Sequence, residues 1–487
     1  MIEIKAKVHD KFAVEFKVGF VADGSGRRDN TFAINTWIFV PNSLDINPAT
    51  YGKEDFYRDV KSNVRMITPV FSLHDVAGGD AVPVKLLRQS LDALKADNTK
   101  ERSADYEYHV KMFAAITKSA LRDETYMVED CTVAEDAMAL GDGFVDSVHL
   151  ITVSYRGMAD DAEAVGAGDF FSFGDEFISH LISSYAFRIL ARLDALPVSD
   201  RQAAVRGRVF DLIRAETAYK RRRGYVTVSG DDPAGNRRLV YRHNVLKKYI
   251  SSDLYIRLDK KEDGRAVRQL YYSIAAGVAM IFATVIAFSF QRKFGNFSGP
   301  LFVALVVSYM LKDRIKDLMR YYFAHRLGRK YFDHKAAINI KEYQVGWLKE
   351  AMDFISEEHL PAEIAELRGR IPLVAAENRF FDEKIILYRK LVYIDGEELA
   401  RYNEYRIDGI NDILRININR FTLKMDDPQV ALRMACDDGT TKVVYTDKIY
   451  YINILMQFRY GDTTEYRRFR LVVNRNGIQE IEDMSCR

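Results

Sequence analysis

Two neighbouring stretches that contain no charged residue constrain this chain more than any other feature of its sequence. The first lies between Arg268 and Arg292, and the second runs from Phe294 to Leu311. As a helix, the first stretch is about 30 Å long, which is enough to cross the hydrocarbon core of a bilayer. The strongly apolar part of the second stretch is short for a crossing. We therefore predict a transmembrane helical hairpin over 268–312.

Local chemistry supports a helix in the second stretch. Ser298 is placed to cap its amino terminus, and Pro300 fits the first turn, where a missing N–H costs nothing. At the other end, the side chains of Lys312 and Arg314 can reach back to the headgroups, and local thinning of the bilayer can cover the remaining deficit.

The first stretch carries a regular row of small residues. Alanine recurs every four positions, at Ala275, Ala279, Ala283 and Ala287. Such a stripe allows the backbone of another helix to approach closely. Its partner is either the second helix of the same hairpin or a neighbouring protomer in a homo-oligomer, and the sequence does not distinguish the two.

The basic flanks of the hairpin predict its orientation. Five Lys or Arg residues precede it and seven follow it within 19 residues, whereas the connecting loop holds only Arg292 and Lys293. Positive residues concentrate on the cytoplasmic side of membrane helices. We therefore predict a multi-pass protein of a bacterial inner membrane, with amino- and carboxy-terminal regions in the cytoplasm. The mean hydropathy of −0.20 reflects the long polar regions outside the hairpin.

The remaining chain indicates an α+β protein in four parts. We predict a cytosolic α+β domain over 1–260 (with a possible subdivision near 145), the hairpin at 268–312, a juxtamembrane helical segment at 313–375, and an antiparallel, sandwich-like β domain at 384–487. Three widely spaced cysteines exclude a disulfide scaffold and suit a reducing compartment.

Hydrophobic periodicity gives more detailed expectations. Alternation over the first 40 residues predicts a three-stranded meander. Helical spacing predicts helices at 55–66 and 342–358, and a run rich in branched residues predicts a strand at 147–155.

Charge is unevenly distributed before the hairpin. Residues 121–170 hold 12 acidic and 2 basic side chains, and residues 201–250 hold 13 basic and 4 acidic ones. The basic stretch has three possible partners: anionic lipid headgroups, the acidic stretch, or nucleic acid, which is the least favoured. With the basic residues after the hairpin, the predicted membrane-surface set is Lys220, Arg221, Arg222, Arg223, Arg237, Arg238, Lys312 and Arg314.

The sequence offers little catalytic chemistry. It holds no Walker loop, no dinucleotide fingerprint and no zinc-binding or serine-hydrolase motif, so we predict no metal and no cofactor. Arg is followed five positions later by His at Arg238/His243, Arg320/His325 and Arg329/His334. This spacing resembles the Arg-x4-His motif of the HEPN ribonucleases, and it makes Arg320 and His325 weak catalytic candidates. The resemblance covers the motif alone, and the polar residue that usually follows the Arg is missing.

These observations favour a two-pass membrane protein that acts as a binding, sensing or scaffolding module. Its expected partners are the bilayer, a second copy of the chain and a cytosolic protein. One alternative is an oligomeric effector of the toxin or defence type that perturbs the bilayer. A second alternative is a membrane-anchored ribonuclease of the HEPN kind.

Overall fold

The computed structural model describes residues 2–21, 30–78, 82–256, 258–295, 298–328, 332–340, 343–369, 383–401, 404–405, 407 and 409–485. It is an α+β structure with 53% helix and 28% strand, and its strands form antiparallel sheets. The predicted fold class is confirmed at this level.

The elements alternate between strand-rich and helix-rich parts of the chain. The helices are α1 (Lys53–Asp59), α2 (Leu73–Ala77), α3 (Val82–Ala96), α4 (Lys100–Asp130), α5 (Ala134–Arg156), α6 (Ala159–Ala164), α7 (Gly168–Asp194), α8 (Asp200–Arg222), α9 (Pro233–Ser251), α10 (Arg265–Phe294), α11 (Gly299–Gly328), α12 (Ala362–Arg368), α13 (Gly396–Arg401) and α14 (Asn419–Thr422). The strands are β1 (Ile2–Asp10), β2 (Ala13–Val21), β3 (Asn30–Val40), β4 (Val60–Met66), β5 (Leu258–Glu262), β6 (His334–Ile340), β7 (Tyr343–Ile355), β8 (Lys384–Ile394), β9 (Gly409–Asn417), β10 (Gln429–Ala435), β11 (Thr441–Asp447), β12 (Tyr450–Tyr460), β13 (Thr463–Asn474) and β14 (Gly477–Asp483).

The chain forms two compact units, each built from separate segments. The strand-rich unit comprises Met1–Val64, Arg257–Arg401 and Gly409–Arg487, and the helical unit comprises Arg65–Ile256 and Tyr402–Asp408. Each unit combines segments that are distant in sequence.

The strand-rich unit holds two main sheets. One has the strand order β1-β2-β9-β4, and the other has the order β14-β13-β12-β3-β8-β7-β6-β5. The sheets contact each other through aromatic side chains, since the ring of Phe16 lies 5.3 Å from that of Phe469 and the ring of Phe20 lies 4.9 Å from that of Phe32. Strands β10 and β11 form a separate exposed ribbon.

The amino-terminal strands do not form the predicted meander. Strands β1 and β2 pair as expected, but β3 pairs with β8 on one side and with β12 on the other. In β2 every residue except Lys17 and Val21 is buried, and most residues of β3 are buried too. Both strands therefore lie inside sheets, and β3 finds its partners far along the chain.

Helices α10 and α11 form an insertion between two paired strands. Strand β5 ends just before α10 and β6 begins shortly after α11, and the two strands pair antiparallel, with Glu262 opposite His334. The chain therefore enters and leaves this pair of helices at neighbouring points. Helix α11 continues as far as Gly328, so the first part of the segment at 313–375 is helical, and strands β6 and β7 follow it.

The helical unit packs α4, α5, α7 and α8 around an aromatic centre. The ring of Tyr155 stacks 5.3 Å from Phe113 and 4.8 Å from Phe171, and all three side chains are buried. Two of the helices have side-chain caps at their amino termini: Thr99 accepts a hydrogen bond from the amide of Arg102, and Ser199 accepts one from Gln202.

Three predictions of local structure were wrong. Residues 147–155 belong to α5, where the buried positions Val148, Ile151 and Tyr155 follow a helical spacing. The helix predicted at 55–66 ends at Asp59 and continues as β4.

Most of the helix predicted at 342–358 is strand β7, which runs from Tyr343 to Ile355. This strand pairs with β6 and β8 on its two sides, and side chains on both of its faces are buried. A strand covered on both faces lacks the alternation that distinguishes a strand from a helix.

Candidate functional site

Helix α10 exposes its large apolar side chains and buries small ones. Among its described side chains only Ala275 and Ala279 are buried, while Ile281 is 65% exposed and Phe288 is 66% exposed. In the described part of the chain, Gln269–Phe294 is the one helical stretch long and apolar enough to cross a membrane, and 11% of its most apolar window is buried. Ala283 and Ala287 are partly exposed.

Helix α11 packs against α10 and combines an apolar half with a charged half. Ser298 caps it as predicted, accepting a hydrogen bond of 3.3 Å from the amide of Leu301. Its two buried residues within the described side chains, Ala304 and Ser308, are again small. From Lys312 onward the helix is rich in charge, and the ammonium of Lys312 lies 3.9 Å from the ring centre of Tyr309.

One contact fixes how the two helices align. The Arg320 guanidinium lies 5.6 Å from the ring centre of Tyr272, so the late part of α11 lies beside the early part of α10. With a rise of 1.5 Å per residue, Lys312 lies about 12 Å nearer the turn than Arg320 does. The zone in which both helices are apolar is therefore about 20 Å long, and the first half of α10 packs beside charged turns of α11.

The predicted basic residues of the helical unit have different surroundings. Lys220 is buried, and its Nζ donates a hydrogen bond of 2.7 Å to the Ser183 hydroxyl. The other five are exposed: Arg221, Arg222, Arg223, Arg237 and Arg238. Lys220 is therefore unavailable to a membrane surface in this structure, whereas the other five remain accessible within their unit.

Part of the basic stretch faces the acidic stretch. On α8, Arg208 forms ion pairs with Asp142 and Asp146 of α5, and Arg201 pairs with Glu135 of the same helix. These pairs are solvent-exposed, and each contributes about 0.2–1 kcal/mol at most. Arg201 and Arg208 of the basic stretch therefore pair with the acidic stretch, which is one of the three partners considered for it.

The arginine–histidine pairs do not form a shared site. Arg238 is 78% exposed, whereas the His243 ring stacks 5.7 Å from Phe177 inside the helical unit. A spacing of five residues places two side chains about 140° apart around a helix. Arg320 is exposed, and the side chain of His325 lies outside the described residues, as does Arg329 of the third pair.

A dense network of buried charge surrounds α7, and no motif in the sequence indicated it. Arg156 donates to Asp175 at 3.1 Å and makes a two-pronged ion pair with Glu216 at 2.9 and 2.8 Å. Arg242 binds Glu176 at 2.7 Å, and the Ser179 hydroxyl donates to Glu216 at 2.6 Å. Because all three carboxylates are paired, the network holds α5, α7, α8 and α9 together rather than presenting a free acid or base.

A serine–lysine contact in the strand-rich unit is also structural. Lys390 of β8 donates to the Ser62 hydroxyl at 2.8 Å and forms a buried ion pair with Asp412 of β9, to which Ser62 donates at 2.9 Å. Lys390 and Ser62 both bind the carboxylate of Asp412, so this triad joins the two sheets.

No group of three or more His, Cys, Asp or Glu side chains within the described residues is arranged to hold a metal ion. No family model matches the chain, and the comparisons with curated proteins and with solved structures found no match either.

Proposed function

We propose that the protein is a membrane-anchored binding, sensing or scaffolding module, held in the bilayer by α10 and α11. The observation that carries the proposal is the outward-facing apolar surface of α10. A core helix of a soluble protein of similar composition buries its large side chains, whereas α10 buries two alanines. A contiguous exposed apolar surface of this size is typical of a membrane or partner contact.

The length of α10 fits a bilayer. The stretch Gln269–Phe294 has 26 residues and is about 39 Å long, against a hydrocarbon core of about 30 Å. In the described spans no Asp or Glu lies between Gln269 and Leu311. A crossing at this helix therefore buries no carboxylate in the bilayer.

The pairing of β5 with β6 supports a hairpin that returns to the side it came from. Because Glu262 lies opposite His334, both ends of the helix pair are held at the same place. Arg292 and Lys293 lie at the turn, where water on the far side of a membrane can solvate them. The larger number of basic residues in the flanks favours the cytoplasmic side for the strands.

The charged turns of α11 are the costly part of this arrangement. They lie beside the first half of α10, so a full crossing requires Lys312 and Arg314 to extend toward the headgroups and the bilayer to thin locally. The location in a bacterial inner membrane stays a prediction. No observation in the described residues favours the bilayer-perturbing effector or the ribonuclease, and we put neither forward.

Labelling of single cysteines tests the proposal. Cys131, Cys436 and Cys486 are first replaced by serine, and one cysteine is then introduced by Lys293→Cys at the turn or by Lys261→Cys in β5. In intact cells with a permeable outer layer, we expect a membrane-impermeant maleimide to label the Lys293→Cys chain and to leave the Lys261→Cys chain unlabelled. Inverted vesicles should give the opposite pattern.

Two results would contradict the proposal at different levels. Labelling of both positions from the same side excludes the crossing and leaves at most a shallow insertion. Release of the full chain from membranes by alkaline carbonate excludes the anchor altogether.

A further inference from the structure

A group of cationic side chains in the helical unit gathers without matching acidic partners. Lys118 and Arg122 lie one turn apart on α4, and His243 and Lys247 lie one turn apart on α9. Positions four apart share one face of a helix, and α4 packs against α9. Arg65 of β4 joins them, since its charge acts on both Lys118 and Arg122. We call these five residues the cationic cluster.

Lys118 is the centre of the cationic cluster. Its side chain is mostly buried, and within the described residues its ammonium makes no ion pair. Burial lowers the pKa of Lys118, and together with repulsion from Lys247, Arg65 and Arg122 it brings the pKa to about 8. Around neutral pH the group is therefore still mostly charged, with three other cations near it.

Arg65 has a donor nitrogen without a hydrogen-bond partner in the described structure, and the charge of Arg122 is balanced by a half-exposed carboxylate. Arg65 donates to the Thr68 hydroxyl at 2.8 Å, but its Nε is buried and has no hydrogen-bond partner among the described residues. Arg122 donates to its neighbour Asp123 at 2.8 Å, and this half-exposed carboxylate is the one acidic group bound to the cationic cluster in the described structure.

His243 contributes a neutral ring. Burial lowers its pKa, and the charges of Lys247 and Lys118 lower it further against the opposing charge of Glu176, so the ring is uncharged at neutral pH and can donate one hydrogen bond. A neutral donor beside several fixed cations suits a ligand that carries several acceptor oxygens.

We propose that the cationic cluster binds a phosphate-class dianion, either the phosphate monoester of a soluble small molecule or the phosphate of a lipid headgroup. Arginine offers a planar fork of donors and lysine a point charge, and the two together are the usual protein ligands for phosphate. A dianion neutralises the mutual repulsion of Lys118, Arg65, Arg122 and Lys247, which folding otherwise has to overcome. This inference does not depend on the membrane proposal.

Thermal unfolding of the detergent-purified full chain tests this site with inorganic phosphate as the probe. We expect phosphate to raise the Tm, and sodium chloride at equal ionic strength to leave it unchanged. Lys118→Met should raise the Tm in the absence of phosphate, because it removes a repelled charge, and should weaken phosphate binding about tenfold or more, the loss of one charge-assisted hydrogen bond. Lys248→Met is the matched control, since Lys248 is exposed on α9, next to Lys247 in sequence but outside the cationic cluster.

The outcomes separate the alternatives. A parent chain whose Tm does not respond to phosphate, and which does not bind vesicles containing phosphatidic acid more tightly than neutral vesicles, overturns the proposal. So does a Lys118→Met chain that binds phosphate as the parent does. Should Lys118→Met not fold, Lys247→Met on the exposed side of the cationic cluster replaces it. Binding of phosphate without vesicle preference identifies a soluble ligand, and preference for phosphatidic acid identifies a lipid.

Discussion

Helices α7 and α10 have similar lengths, 27 and 30 residues, and opposite surfaces. Helix α7 buries large apolar side chains such as Phe171, Phe177 and Leu181, and it adds buried carboxylates that are all paired. Helix α10 buries two alanines and exposes its phenylalanines and isoleucines. The two helices therefore differ in which of their side chains are buried, although their lengths are similar.

The comparison also concerns polar groups. The buried charges of α7 are stable because Arg156 and Arg242 reach them from neighbouring helices. The described part of α10 carries no such group between Gln269 and Phe290, and a bilayer would give an ionised side chain there no partner. Each of the following changes tests one side of this contrast.

The largest effect is expected from the charge network around α7. Glu216→Ala removes the two-pronged partner of Arg156 and leaves a mostly buried guanidinium with Asp175 alone, so we expect the free energy of unfolding to fall by about 3–5 kcal/mol. Denaturant unfolding of the full chain in detergent measures it. Arg214→Ala, an exposed site on the same helix, serves as the control, with an expected change within about 0.5 kcal/mol. A loss below about 1 kcal/mol in Glu216→Ala would show that the network is dispensable.

The next effect contrasts two exposed phenylalanines. Phe187 of α7 is 55% exposed, and Phe282 in the middle of α10 is 37% exposed. In water both replacements by arginine are harmless, but arginine near the centre of a membrane helix costs about 2.5–3.5 kcal/mol. We therefore expect Phe282→Arg to reduce the membrane-bound fraction strongly and Phe187→Arg to leave it unchanged, as measured by fractionation of cells expressing each variant. Equal behaviour of the two variants would remove the distinction between the helices.

The smallest effect is a pH dependence specific to α7. Burial lowers the pKa of His180, and together with the charges of Lys220, His243 and Arg242 it brings the pKa from the ordinary value of 6.5 to about 4. Between these values the unfolded chain binds a proton that the folded chain does not. Stability is therefore fully present above about pH 6.5 and falls as the pH approaches 4.

The variant His180→Gln isolates that contribution. Its free energy of unfolding should decline less steeply than that of the parent between pH 6.5 and pH 4, in a series of denaturant titrations. Parallel curves for the parent and the variant would mean that His180 titrates normally in the folded chain.

The sequence predicted those features that depend on contacts between residues close together in the chain. The cap by Ser298 and the start of α11 at Gly299 depend on residues within four positions, and both were predicted correctly. The placement of β3 was not, because its partners β8 and β12 lie more than 340 residues away. Residues 147–155 are rich in branched side chains, yet contacts inside the helical unit favour a helix there.

The candidate sites show the same limit. The charge-free stretch at 269–291 was visible because all its residues are contiguous. The cationic cluster was not, since Arg65, Lys118 and Lys247 come from three elements and carry no motif. The ion pairs between Arg208 and the acidic residues of α5 depend on the packing of α8 against α5, which composition alone does not specify.

The register of β5 and β6 has a practical consequence. Directly beyond the pair Glu262 and His334, the backbone amide of Asp263 donates to the carbonyl of Asp333, so the two strands still lie side by side where the helix pair begins and ends. Residues 264–332 are therefore an insertion between two paired strands, and we expect Asn-Gly in their place to form a two-residue hairpin turn. The rest of the strand-rich unit keeps its ladder, and the helix pair becomes a part that can be excised or transplanted as a whole.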